Sequence, residues 1–190
     1  MSASATVNAE TYEKILTANL QRALDFVKFA EAKNAALLAL SSAWVLATVN
    51  LECSGKSILV ELRASIVLAL FCSICAAIVA MASFFPKLHL PGFLGGKKAG
   101  PHPLNLLHFG DISSLPIRTL EADLHKRYFP NGNSHSDDYI HDLIVQIGVN
   151  SQIAKRKMRL FSWGVSFILI AGIVFFIPVV GMLYQSIKGL

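Results

Sequence analysis

The sequence feature that most constrains the fold is the stretch 137–184, where a polar helix continues without a break signal into an apolar run. Residues 160–184 contain no charged side chain, and a bilayer core of about 30 Å needs roughly 20 apolar residues in a helix. The polar half repeats its apolar and small residues at alternating steps of four and three, the spacing of a helix packed lengthwise on a partner. We therefore predict one long helix, half outside and half across a membrane. Its seam is Ile140, Ile144, Ile147, Ser151, Ala154, Met158 and Phe161.

The composition of the chain is typical of an integral membrane protein. Charged residues make up 15% of the 190 residues, against about a quarter in soluble domains, and the mean hydropathy is +0.53. The net charge of +5 is better explained by membrane orientation and lipid headgroups than by nucleic acid. Because no base-stacking motif or recognition-helix signature accompanies this charge, we expect a lipid bilayer and no nucleic acid among the partners.

Two further apolar runs, residues 35–51 and 64–85, predict two further spans. The connection between them is short, so we expect an antiparallel hairpin. Each run carries small residues four apart, a spacing that allows two membrane helices to approach closely. We expect these stripes to pack the two spans together, with contact to lipid or to another subunit as the alternatives. The stripes are Ala35, Ala39, Ala43 and Ala47, and Ser65, Ala69, Ser73 and Ala77.

The remaining segments predict helices outside the membrane. In residues 1–34 we expect a disordered segment, residues 1–9, followed by an amphipathic helix that begins at Thr11. This helix carries a second four-three seam, which we expect to pack on the seam of residues 137–158. The insert 86–136 begins with a Pro- and Gly-rich linker, includes a short strand or buried turn near Phe109, and holds a helix that Ser114 caps and that ends near Phe129. The seam of residues 1–34 comprises Leu16, Leu20, Ala23, Val27, Ala30 and Asn34.

The predicted fold is an all-α integral membrane protein with three transmembrane helices and a cytoplasmic helical stalk. Residues 35–51, 64–85 and 160–184 cross the membrane, whereas residues 1–34 and 86–159 stay outside it. The two segments outside the membrane hold fourteen of the seventeen Lys and Arg residues. The positive-inside rule then predicts a cytoplasmic N-terminus and a periplasmic C-terminus.

The motifs of enzymes are missing from this sequence. It contains no H-E-x-x-H, G-x-S-x-G or complete phosphate-binding loop, since Lys98 follows Gly96 and Lys97 where such a loop needs Ser or Thr. Cys72 and Cys75 form a C-x-x-C pair inside an apolar run, where two small helix residues are the simpler interpretation. The six histidines lack the spacing of a zinc site. We expect no catalytic residue, no metal and no cofactor.

A set of polar residues near the predicted membrane surface has two interpretations. Asn34 lies on one apolar seam, and a polar residue on a packed seam costs stability unless it has a partner. One interpretation is hydrogen bonding between helices that defines their register. The other is a site for a small ligand. The set comprises Glu31, Lys33, Asn34, Gln146, Asn150, Ser151 and Lys155.

The same residues carry a resemblance to a known family. Residues 29–38, 109–112 and 142–155 resemble the Pycsar effector transmembrane family (PycTM), and with the spans the resemblance covers about residues 16–185. It implies a bacterial antiphage role. A partner pyrimidine cyclase makes cUMP or cCMP on infection, and the effector responds by compromising the inner membrane, so the cell dies or stops growing before phage matures.

With that role implied, the polar set becomes a hypothesis for the ligand site. Lys33 and Lys155 would meet the phosphate, and the amides of Asn34, Gln146 and Asn150 would read a pyrimidine edge. Phe109 would stack on the base and Asp111 would accept from a ribose hydroxyl.

Because three spans cannot enclose an aqueous path, we also expect a homo-oligomer. The alternatives are a ligand-independent membrane anchor or scaffold and, less favoured by the motifs, a small membrane enzyme.

Overall fold

The computed structural model of the protein describes residues 3–53, 60–85, 104–130 and 138–189, and of residues 3–8, 60 and 61 the backbone alone. The described residues form five helices and no strand. Three of these helices are long and apolar enough to cross a membrane. The prediction of an all-α membrane protein with three spans is therefore confirmed. The helices are α1 (Ala3–Cys53), α2 (Val60–Ala82), α3 (Phe109–Ile112), α4 (Ile117–Tyr128) and α5 (Asp138–Lys188).

The chain divides into two compact units, and the long helices α1 and α5 contribute to both. The first unit comprises Met1–Ala30 and Lys87–Lys157, and the second comprises Glu31–Pro86 and Met158–Leu190. The helices α1 and α5 are each 51 residues long, and each has residues in both units. The Gly96–Lys98 segment lies outside the described residues, as do Ser134 and Ser136, either of which the sequence predicts as the N-cap of the long helix that starts at residue 137.

The first unit has a core of large aliphatic side chains from α1, α4 and α5. Leu16, Leu120 and Ile144 are completely buried in it, and each such side chain contributes about 1.5–3 kcal/mol through removal from water. Asn19 is also buried, and its Nδ2 donates to the Leu106 carbonyl at 2.9 Å, so this polar side chain has a partner on the segment before α3. Most of the predicted seam positions of α1 and α5 in this unit are buried, among them Ala23, Ala30, Ile147, Ser151 and Ala154. The seam residues Leu20, Val27 and Ile140 are half-buried.

The segment between the linker and α4 agrees with the sequence-based expectation at α3 and differs from it at α4. Of the expected short strand or buried turn the structure has a turn, because Phe109 opens the single helical turn α3, in which Ile112 is buried. The helix α4 begins at Ile117 with Pro116 as its N-cap residue, and no side chain caps it. The Ser114 hydroxyl instead donates to the Asp111 carbonyl at 2.6 Å. The prediction of a Ser114 cap is therefore wrong, because this hydroxyl is used one turn earlier to close α3.

The second unit contains the spans, and its helices meet through small residues. Gly164 of α5 lies so close to Leu37 of α1 that an added Cβ would collide with the leucine side chain, and the Ala76 carbonyl of α2 lies 3.6 Å from the same point. Trp44 packs edge-on against Phe175 and Phe176 of α5, with ring centroids 5.8 and 6.3 Å away. Close approach at a glycine is a common way for membrane helices to gain packing contacts without a hydrophobic driving force.

One of the two predicted small-residue stripes does not pack the spans together. Ala35, Ala39, Ala43 and Ala47 of α1 are all exposed, and this helix buries Leu37, Ser41 and Thr48 instead. On α2 the expected stripe is used, because Ala69 and Ser73 are fully buried. Spacing alone could not distinguish the two faces of α1, since its serine and threonine face is also compact.

Three buried hydroxyl groups of the spans donate hydrogen bonds within their own helices. Ser41 donates to the Leu37 carbonyl at 2.7 Å, and Ser73 donates to the Ala69 carbonyl at 2.8 Å. Thr48 donates to the Trp44 carbonyl at 2.9 Å. Because lipid offers no alternative partner, such bonds to the preceding turn allow a hydroxyl to occupy an apolar interface.

Candidate functional site

The structure distributes the predicted ligand residues over both units. Lys33 and Asn34 belong to the second unit, where the Lys33 ammonium lies 5.1 Å from the centroid of the Phe161 ring. Asn34 is fully buried. A cation over an aromatic face is an attractive arrangement worth about 0.5–1 kcal/mol at exposed sites, so Lys33 already has a protein partner.

Three of the predicted residues in the first unit lie around α3. Lys155 of α5 donates from Nζ to the Gly110 carbonyl at 3.2 Å. Phe109 packs against Phe26 of α1, with ring centroids 4.4 Å apart. Asp111 accepts the backbone N–H of Asn105 at 3.1 Å. The structure therefore brings Phe109, Asp111 and Lys155 near one another, and their contacts stabilise α3 between α1 and α5.

The predicted amides of α5 are more accessible but contact each other. The Nδ2 of Asn150 donates to the Gln146 carbonyl at 2.8 Å, one turn earlier in the same helix. Gln146 is exposed and Asn150 is half-buried. Their described contacts are local to α5, so this pair does not supply the register bond between helices that the sequence also allowed.

A cavity of about 420 Å³ lies elsewhere in the first unit, between α1, α4 and α5. Its α4 wall is one helical stripe, because residues 118, 121, 122, 125 and 126 are spaced as neighbours on one face. Its other walls are apolar and come from Tyr12, Ile140 and Ile144. The volume lies at the lower end of the range of small-molecule sites, roughly 300–1,000 Å³.

The charges on this stripe favour an anionic ligand. Arg118 and Lys126 are both exposed, and neither forms an ion pair with any residue that the structure describes. Glu121 lies between them along α4, and its carboxylate is 3.3 Å from Nδ1 of His141. The cavity thus presents two cations and one carboxylate that already has a neighbouring imidazole.

Aromatic rings close one end of the cavity. Tyr12 stacks on Phe129 with ring centroids 5.3 Å apart, and His125 lies edge-on to both rings. Burial raises the pKa of the Tyr12 phenol to about 12, and the nearby Glu121 carboxylate acts in the same direction. The Nε2 atom of His125 is buried and has no hydrogen-bond partner in the described part of the chain.

The residues of this cavity were missed at the sequence level. The only available signal was that Arg118 and Lys126 share an α4 face with Glu121 and His125. The basic residues at the end of a helix are ordinarily explained by the helix dipole, and Tyr12 is more than one hundred residues away in the chain. Within the described residues there is no cluster of three or more His, Cys, Asp or Glu side chains that could hold a metal ion.

These features define the class of protein as a small helical membrane protein with a separate, polar helical unit. Residues 15–185 match the family model PycTM, described as the Pycsar effector protein domain. The Pycsar effector protein RsPycTM of a Rhizobium species is 36% identical over 165 residues, which cover 86% of this chain and 91% of that protein. No solved structure matches the chain. The chain belongs to the Pycsar effector transmembrane family, whose members act in antiviral defence.

Proposed function

We propose that this protein is a membrane effector that responds to a cyclic pyrimidine nucleotide, cUMP or cCMP, by impairing the bacterial inner membrane and thereby aborting phage infection. The observation that carries this proposal is the match to the Pycsar effector family over residues 15–185. The proposed role is not catalytic, and the signal would come from a partner pyrimidine cyclase. The three helices apolar enough to span a membrane supply the part that acts on the bilayer.

The continuity of α1 and α5 supports a mechanical link between signal and membrane. Each helix runs without interruption through residues of both units. A ligand that prefers one arrangement of these helices in the first unit would therefore favour one arrangement of the membrane spans that the same two helices form. It can shift that equilibrium only by its difference in affinity for the two arrangements, and tenfold in affinity corresponds to about 1.4 kcal/mol.

The sequence-based proposal for the ligand contacts still comprises Lys33, Asn34, Phe109, Asp111, Gln146, Asn150 and Lys155. Its support is the clustering of Phe109, Asp111 and Lys155 around α3 and the accessibility of Gln146. If these residues contact the signal, Asn150→Ala and Lys155→Ala will abolish ligand-triggered toxicity while membrane insertion and expression are retained. Toxicity that persists in both variants, with normal binding, would exclude this set.

The proposed topology is a cytoplasmic N-terminus and a periplasmic C-terminus, with the subunits assembled as a homo-oligomer. The charge distribution supports the topology. A reporter active only in the periplasm should work when fused at Leu190 and fail when inserted at Gly100. The reverse pattern would contradict the topology, and a purely monomeric protein in nanodiscs with and without ligand would contradict the assembly.

The experiment that tests the function is expression of the full chain with induced production of a single cyclic nucleotide. We expect cUMP or cCMP to cause loss of membrane potential and growth arrest, and cAMP or cGMP to leave the cells unaffected. A matched control carries the same chain without a cyclase. Membrane damage that is equal in all cultures would favour a ligand-independent membrane protein.

A further inference from the structure

We propose that the cavity between α1, α4 and α5 is the binding site for the phosphate-bearing signal nucleotide, with Arg118 and Lys126 as its phosphate contacts. This assignment rests on the proposed function and names a site that the sequence did not predict. It competes with the sequence-based contact set for the same ligand. The two assignments make opposite predictions for variants of the cavity and variants of α5.

The first argument is the availability of the cations. Arg118 and Lys126 have no carboxylate partner among the described residues. Residues eight apart in a helix are separated by about 12 Å along its axis. Arg and Lys side chains are long enough to reach one ligand from the two ends of this distance. Lys155, in contrast, already donates to the Gly110 carbonyl. A cation without a partner can bind an anion without first giving up a protein contact.

The second argument is the chemistry of the remaining walls. Tyr12, Ile140 and Ile144 present an apolar surface of the kind that covers a base or a ribose ring. Glu121 is an acceptor for a ribose hydroxyl or a base N–H, and it disfavours a bare phosphate ion. The cavity therefore favours a ligand that combines an anionic group, a hydrogen-bond donor and an apolar ring over inorganic phosphate.

The third argument is the buried nitrogen of His125. Its Nε2 has no hydrogen-bond partner within the described ranges, and an unsatisfied buried polar atom costs free energy that a ligand group can recover. The residue lines the cavity beside Tyr12. A second cavity of about 380 Å³ is lined by Lys14 and Arg22, but no buried polar atom without a partner is found among its described lining residues.

The test measures binding to the full chain in nanodiscs by calorimetry, using cUMP, cCMP, cAMP, cGMP and inorganic phosphate as separate probes. Arg118→Gln and Lys126→Gln should each weaken nucleotide binding by at least about tenfold, because each removes a charge-assisted hydrogen bond. Lys28→Gln is the matched control, since it removes one positive charge at an exposed position outside the cavity. The nucleotide affinity of Lys28→Gln should equal that of the wild type.

A second pair of variants tests the cavity without changing charge. Ala122→Trp places a bulky ring at an exposed position that lines the cavity, and Thr119→Trp places the same ring on the same helix outside the lining. We expect loss of binding only in Ala122→Trp, with equal thermal stability of both variants without ligand. Equal nucleotide affinity of Ala122→Trp and Thr119→Trp would overturn the assignment of the cavity as the binding site.

The outcomes separate the site from the proposed function. Normal binding by the cavity variants, together with loss in Lys155→Ala, would overturn the cavity and leave the function standing. Binding of only cAMP or cGMP, lost in the cavity variants, would overturn the pyrimidine signal and support the cavity. A wild type that binds none of the nucleotides would overturn both. Competition by phosphatidylglycerol nanodiscs that disappears in Arg118→Gln would assign the cavity to a lipid headgroup and overturn its assignment to the nucleotide.

Discussion

In the first unit most of the large buried side chains are leucine and isoleucine, whereas in the second unit the buried positions are mainly alanine, serine and glycine. Leu16, Leu120 and Ile144 are buried in the first. Ala76, Ala171 and Gly164 are buried in the second. Most of its large side chains, such as Phe71 and Ile177, are exposed, although Leu37 and Ile66 are buried. The two units therefore differ in the size of the side chains that they mainly bury.

We expect this difference to reflect the solvents of the two units, water for the first and lipid for the second. Water makes burial of large apolar side chains favourable, so a unit in water should collect them inside. Lipid is as apolar as leucine, so helices in a membrane gain from close packing at small residues and leave the large ones outside. Because α1 and α5 take part in both units, the rule changes along each of these helices.

The largest loss of stability should come from a substitution in the core of the first unit. Leu120→Ala should lower the free energy of unfolding by about 2–5 kcal/mol, because it leaves a cavity at a completely buried position. Leu183→Ala, at an exposed position of α5, is the control and should change little. Circular dichroism during thermal unfolding in detergent measures both. Equal losses would mean that Leu120 is not part of a water-excluding core.

The second effect tests close packing in the spans. Gly164→Leu should cost roughly 1–3 kcal/mol by overpacking against Leu37 and α2. Gly172→Leu introduces the same side chain where nothing lies within 4 Å of the new Cβ, so it should be tolerated. Thermal stability in nanodiscs compares the two variants. A larger loss in Gly172→Leu would show that this open face is occupied in the membrane.

A smaller effect is expected at the contact between α5 and α3. Lys155→Gln removes the hydrogen bond to the Gly110 carbonyl, which should cost about 1 kcal/mol. Hydrogen exchange of the amides near Gly110 should accelerate more than that of the amides of α4. The control is Lys28→Gln, whose exposed ion pair with Asp25 is expected to contribute little. Unchanged exchange near Gly110 would show that α3 is held by other contacts.

The smallest effect under ordinary conditions concerns Tyr12. Its pKa of about 12 lies above the ordinary value of 10.0, chiefly because of burial. Between a pH of about 10 and about 12 the folded state thus keeps the phenol proton that the unfolded state loses. The contribution of Tyr12 to stability is therefore complete below a pH of about 10 and is lost as the pH rises to about 12. Tyr12→Phe should remove this part of the alkaline destabilisation, whereas Tyr139→Phe, at an exposed position, should not. Equal curves for the two variants would contradict the burial of the phenol.

The sequence by itself determined the elements of this protein. Runs without charge identified the three spans, because a bilayer requires about 20 apolar residues in a helix. The four-three spacing identified the buried faces of α1 and α5, including the position of Asn34, because this spacing follows from helix geometry alone. Lys155 belongs to the polar set that the sequence itself indicates, whereas residues 109–112 enter the ligand hypothesis only through the likeness to the family. The structure joins them by the bond from Lys155 to the Gly110 carbonyl.

The tertiary structure decided which surfaces meet. It turned the Ala35–Ala47 stripe outward and buried Ser41 and Thr48, a choice that depends on the shapes of α2 and α5 and not on spacing in α1. It also placed Tyr12 against His125 and Phe129, which created the cavity beside Arg118 and Lys126. Such a site is formed by residues far apart in the chain, so no local pattern could have indicated it.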